Sequence, residues 1–158
     1  MKLSCLELHK ARSVGQRRNK ENRSVDRSDG KVLEDSLEID VLGAEAELAV
    51  SRFLNIPWDG RFFRDAQWLK WRKGGHDVGP LEVRATLHET GRLIVHPKDD
   101  DDAPFILVRA SRRPIFDIVG WQWGRECKKE EYWQDVGYGR PCFYLPNNKL
   151  RPVKELYA

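Results

Sequence analysis

Asp77-Val78-Gly79-Pro80-Leu81-Glu82-Val83-Arg84-Ala85-Thr86-Leu87-His88 is the segment around which the rest of the chain is arranged. Leu81, Val83, Ala85 and Leu87 alternate with Glu82, Arg84, Thr86 and His88, the period of a strand with one apolar and one polar face. A polar face on an antiparallel strand is most simply a face in water. Its neighbours give this one a second reading. Asp77 precedes the strand in a glycine-rich segment, Gly74 to Pro80, whose backbone freedom lets a carboxylate approach the first strand residues.

Upstream, the clearest helix spans about Leu42 to Leu54. Ala46, Ala49, Val50, Phe53 and Leu54 recur on one helical face, and Asn55 and Pro57 end it. At about 100° per residue, Glu47 lies about 80° from the centre of that face and Glu45 about 120°. Glu47 is thus expected at the margin of the buried stripe, and Glu45 toward water. Glu47, Asp77 and Glu82 could meet where this helix crosses the strand.

Downstream, Glu89-Thr90-Gly91 reads as a tight connection to a second strand, Arg92 to His96, and the two strands as an antiparallel hairpin. Pro97 to Pro104, with Asp99 to Asp102 in a row, is expected to be a solvated loop, because it lacks the spaced acids and glycine of a calcium loop. Phe105 to Arg109 and Ile115 to Trp123 read as strands around a turn at Ala110 to Pro114. Glu126 to Gln134 reads as a short helix and Cys142 to Leu145 as a last strand. The fold class is α+β, a mixed sheet flanked by helices.

The 158 residues suit one domain, with 40% hydrophobic and 34% charged side chains and a net charge of only +3. Charge is unevenly spread. Residues 1–31 hold nine Lys or Arg against four acids, which fits phosphate contact and equally a solvated terminus. Residues 1–40 are therefore expected to be a basic, helical N-terminal extension of a domain covering 41–158. Cys5, Cys127 and Cys142 form no CxxC pair, which argues against a zinc ribbon or a disulfide framework and for a reducing, cytoplasmic setting. There is no nucleotide-binding glycine loop, GxSxG elbow or metalloprotease helix motif.

Mg²⁺ takes hard oxygen ligands, usually one or two carboxylates with waters and substrate phosphate. Asp77 and Glu82, helped by Glu47, could supply them, and Arg84 could stabilise charge on a phosphate. His76 and His88 flank the group. His88 shares a strand face with Glu82 and Arg84, so it is the better candidate general base.

Asp77-Val78-Gly79-Pro80-Leu81-Glu82-Val83-Arg84 resembles the central motif of the PD-(D/E)XK nuclease superfamily. There, an acid precedes a strand, and a second acid on the strand is followed two residues later by Lys. Gly43-Ala44-Glu45-Ala46-Glu47 is similar to the helical glutamate that many members place before the motif. The resemblance covers roughly residues 43–96. It implies a restriction-endonuclease-like core, catalytic roles for Asp77, Glu82, Arg84 and Glu47, and Mg²⁺ or Mn²⁺ held by Asp77, Glu82 and Glu47.

Arg84 stands where the family pattern has Lys. An Arg stays protonated, so it can neutralise phosphate but cannot act as a base. Lys73 and Lys98 are candidates for a replacement cation. Three readings follow: a Mg²⁺-dependent DNA endonuclease, a catalytically inactive nucleic-acid-binding module on the same fold, and a protein-interaction domain. Arg17, Arg18, Lys70, Arg72 and Lys73, with Trp68 and Trp71 between them, are the expected DNA contacts. Trp121 and Trp123 share a strand face and are expected in the core. A homodimer is left open, and a phage or mobile-element setting fits by analogy.

Overall fold

The computed structural model describes residues 1–24, 33–61, 75–135 and 141–157. Two helices come first, α1 (Cys5–Ser24) and α2 (Leu33–Leu54). The strands are β1 (Glu82–Thr86), β2 (Leu93–Val95), β3 (Pro104–Arg112), β4 (Ile115–Trp123), β5 (Trp133–Gln134) and β6 (Cys142–Leu145). The protein is α+β, and its larger sheet is mixed.

The polar N-terminal segment forms α1 because its start is capped in both directions. The Ser4 backbone N–H donates to Glu7 Oε2 at 2.8 Å, and the Glu7 N–H donates to Ser4 Oγ at 3.3 Å. This is the reciprocal capping box Ser-x-x-Glu. α1 then lies along α2 at very short range. A Cβ on Gly15 would stand 2.5 Å from Val41 Cα, so only glycine permits the approach. Ala11 is fully buried at the same seam, and buried Asn19 donates to Ser36 Oγ and Asp40 Oδ2.

α2 starts at Leu33, well before the expected Leu42, and residue 40 lies inside it. It ends as expected, at Asn55, whose φ of 54° reverses the chain while Ile56 N–H bonds Ser51 O. Glu45, expected toward water, is only 3% exposed. A single stripe describes a helix with one neighbour, but α2 has the sheet on one side and α1 on the other. Residues 44–51 are accordingly buried all round. Phe53, expected in the apolar face, is instead 49% exposed.

The expected hairpin does not form. β1 pairs in parallel with β3 (Glu82 opposite Phe105, Arg84 opposite Leu107), and β3 pairs antiparallel with β4, giving the order β1-β3-β4. β2 joins a second, antiparallel sheet in the order β2-β6-β5. The reason lies in β3. Pro104-Phe105-Ile106-Leu107-Val108 is buried throughout, as befits a central strand covered on both faces. Ile106 and Val108 pack with Val83, Phe116 and Trp121 toward the helices. Phe105 and Leu107 pack with Leu93, Val95 and Leu145 toward the second sheet. Burying Leu93 and Val95 there leaves the side of β1 to β3.

The residues expected to form a helix from Glu126 to Gln134 divide into a helical turn (Gly124–Cys127), a 3₁₀ turn (Glu130–Tyr132) and β5. The last strand is Cys142–Leu145, as expected. Trp121 is buried and stacks edge-on against Trp123 at 5.4 Å. Among the described residues, no helix is long and apolar enough to cross a membrane.

Candidate functional site

β1 is an edge strand, and the turn before it folds back on that edge. Asp77 N–H and Val78 N–H both donate to Leu81 O, with Gly79 at φ 56° making the reversal. The turn brings the Asp77 carboxylate alongside the strand, where Oδ2 accepts the Val83 backbone N–H at 2.8 Å. Asp77 and Glu82 thereby stand at one point on the edge, as the sequence spacing suggests.

Arg84 lies between them. Its Nη1 is 3.3 Å from Val83 O, 3.4 Å from Glu82 Oε2 and 4.0 Å from Asp77 Oδ2. Its Nη2 donates to Asp99 Oδ2 at 2.8 Å, and the guanidinium sits 4.9 Å above the Phe105 ring. The polar face of β1 is thus not a solvated face. It looks toward the second sheet, and its charges are paired with one another. His76 Nδ1 lies 3.2 Å from Glu82 Oε1.

Glu47 comes from the helical side. Arg18 grips both of its oxygens, Nη1 to Oε1 at 2.5 Å and Nη2 to Oε2 at 2.8 Å, and Trp58 Nε1 adds a bond at 3.0 Å. Arg18 also donates through Nε to Arg61 O at 2.8 Å. This tight pairing corrects two expectations. Arg18 is committed to an internal carboxylate instead of reaching out to DNA, and the Glu47 oxygens are already taken by nitrogen donors. Glu47 orients Arg18, which in turn presents positive charge to Asp77.

The electrostatics mark the same place. Burial pushes the Asp77 carboxyl up to about 6, and the charge of Glu82 adds to the rise. The Val83 N–H, Arg84 and Arg18 pull it down. Burial also raises the Glu47 carboxyl, against the pull of Arg18, with Asp77 adding to the rise. Burial disfavours the charge on Arg84, but Asp99 first and then Glu82 and Asp77 more than restore it. Crowded, partly desolvated carboxylates held beside fixed cations are a mark of functional sites.

The other expected residues scatter. β1 ends at Thr86, so His88 falls beyond the strand and is exposed; the histidine at the cluster is His76. Lys98 is exposed in a turn, and Arg17 is exposed on α1. Lys70, Arg72, Lys73, Trp68 and Trp71 lie outside the described residues.

Asp99, expected to belong to a solvated loop, is half-buried and accepts from both Arg84 Nη2 and the His96 N–H. Lys128 Nζ clasps its loop through Pro97 O at 3.0 Å, Asp101 Oδ1 at 2.6 Å and Asp99 O. Nothing in the sequence separates Asp99 from the three aspartates that follow it.

Comparison with family models, curated proteins and solved structures gave no significant match. The site therefore rests on its own chemistry. Among the described residues, no three His, Cys, Asp or Glu side chains converge as a ready-made metal cage. The oxygens gathered there belong to two carboxylates and one main-chain carbonyl: Asp77 Oδ2, which also accepts the Val83 N–H, Glu82 Oε2 and Val83 O, all facing Arg84 Nη1. That oxygen set suits Mg²⁺ or Mn²⁺, which keep waters and substrate oxygens in the remaining positions.

Proposed function

We propose that this chain is a Mg²⁺- or Mn²⁺-dependent endonuclease-like protein acting on DNA phosphodiester bonds, built on a restriction-endonuclease-like core. The observation that carries the reading is the point where Arg84 Nη1 lies. A cationic group there is ringed by Asp77 Oδ2, Glu82 Oε2 and Val83 O, the donors a hard divalent cation would take. The order of α2, the acidic turn, β1 and a mixed sheet agrees with the motif resemblance.

Asp77 and Glu82 would hold the metal, with Val83 O beside them. Bound there, Mg²⁺ would neutralise a phosphate oxygen and acidify a water. The protein's own residues do the rest. Arg84 stays protonated and neutralises a phosphate next to the carboxylates. Arg18, fixed by Glu47 and Trp58, holds a second positive charge on the helical side. His76, bonded to Glu82, is the titratable group best placed to hold or pass a proton. The exposed side of α1, with Arg12, Arg17, Lys20 and Arg23, offers charge to the DNA backbone.

One observation favours a second reading, an inactive nucleic-acid-binding or protein-interaction module on the same fold. Arg84 already lies among the oxygens that a metal needs. Incubating mixed DNA substrates with the protein and Mg²⁺ or Mn²⁺ separates the readings. Cleavage by wild type that disappears in Asp77→Ala and in Glu82→Ala supports the endonuclease. Cleavage surviving both substitutions removes these residues from the site, and metal-independent DNA binding without cleavage favours the module.

A further inference from the structure

We infer that Asp99 is a positioning residue that draws Arg84 off the oxygens of the proposed metal site, so that cation binding and the Arg84–Asp99 pair support one another. The inference rests on the function proposed above and concerns a residue outside the sequence motif.

The guanidinium has two unequal attachments. Toward the motif, Nη1 stands 3.3 to 4.0 Å from its three oxygens. These are long contacts for a charged donor, which ordinarily sits at about 2.7–2.9 Å from a carboxylate. Toward Asp99, Nη2 makes a full-strength bond at 2.8 Å. Arg84 therefore leans on the motif and is anchored at Asp99. An arginine cannot shed its charge to make room for a cation, so it must be carried away by another anion.

Asp99 is built for that task. The oxygen that receives Arg84 also accepts the His96 N–H at 2.9 Å, which fixes the carboxylate's direction. Lys128 ties down the surrounding loop, and the Phe105 ring, 4.9 Å beneath, limits where the guanidinium can go. Charge balance points the same way. Asp77, Glu82 and Asp99 against Arg84 leave two negative charges, the number a divalent cation neutralises. Without Asp99, the guanidinium's nearest remaining carboxylates are the proposed ligands themselves.

The test is Mn²⁺ affinity, read by electron paramagnetic resonance of the free ion, on the full chain. The proteins are wild type, Asp99→Asn, Asp99→Glu, Arg84→Gln and the Asp99→Asn/Arg84→Gln double variant, each checked for folding by circular dichroism. Outer partners of metal sites typically matter by about 10- to 100-fold, so Asp99→Asn is expected to weaken binding by about tenfold or more. Asp99→Glu, which keeps the negative charge that Asp99→Asn removes, should restore most of that loss. In the Arg84→Gln background, where nothing competes for the oxygens, the Asp99→Asn effect should fall to a few-fold at most.

Unchanged affinity in Asp99→Asn overturns the inference, and so does an equal loss with or without Arg84. If neither wild type nor Arg84→Gln binds Mn²⁺ through Asp77 and Glu82, the metal reading fails and the inference with it. Asp77-dependent binding that ignores Asp99 overturns the inference alone.

Discussion

Arg18 and Glu47 meet in a two-point contact across the α1–α2 seam, and the Arg18 charge of that pair acts on Asp77 at the edge of β1. Glu47 keeps only 5% of its side chain exposed, so its charge depends on Arg18. Removing one partner of such a pair strands the other, at a cost of about 3–5 kcal/mol. Arg18→Met is expected to lower unfolding free energy by about 3 kcal/mol in urea titrations. Arg18→Met/Glu47→Leu should lose less than the single variant, because no orphan carboxylate remains.

Asp77 gives a pH signature. Its folded carboxyl is raised to about 6 from an ordinary 3.8, so the folded state binds the proton more tightly than the unfolded state does. Asp77 therefore opposes folding increasingly as pH rises from about 4 to 6, and the penalty persists above that window. Asp77→Asn keeps an acceptor for the Val83 N–H and abolishes the charge. It is expected to be more stable than wild type at pH 7 by up to about 3 kcal/mol, less what the 20% exposure of the side chain screens away. The difference should vanish below about pH 4, which denaturant melts at both pH values will show. A gain in stability from removing a site residue is the usual sign of a site held at a cost to the fold.

Gly15 links packing to the site. A methyl there would press on the backbone of α2 at Val41, and Arg18 sits one turn further along the same helix. Gly15→Ala gains about 1 kcal/mol of helix propensity and loses about 1–3 kcal/mol to overpacking. The expected result is a net fall in thermal midpoint, together with a loosened Arg18–Glu47 pair.

How much of this could be read from the residues alone depends on how local each signal is. β4 and β6 carry their own pattern, and both fall where the sequence places them. α1 was less legible: Ser4 and Glu7 form a capping box, but the polar composition of the segment masks it. The pairing of β1 was not local. The nearest strand in sequence is β2, whereas the partner is β3, and only the unbroken apolar run of β3 hints at a central strand. In the site, Asp77 and Glu82 are fixed by short-range spacing and meet as expected. Asp99 enters through a tertiary contact that no spacing encodes, whereas His76, beside Asp77 in sequence, ranks behind His88 only while the strand is expected to reach residue 88.

α1 is expected to set the salt response of nucleic-acid binding. Arg17 and Lys20 are exposed on its outer side. Each phosphate contact removed should lower the slope of log K against log salt by about 0.9 and weaken binding uniformly across sequences. Titrations of Arg17→Ala and Lys20→Ala with a fluorescent duplex at several salt concentrations check this.

The most direct measurement is anomalous diffraction from crystals grown with Mn²⁺. A metal site between Asp77 and Glu82 requires one strong peak at about 2.0–2.3 Å from their carboxylates, with Arg84 turned fully onto Asp99. Crystals that show no peak at this edge of β1, and Arg84 still resting among Asp77, Glu82 and Val83 at saturating Mn²⁺, would contradict it.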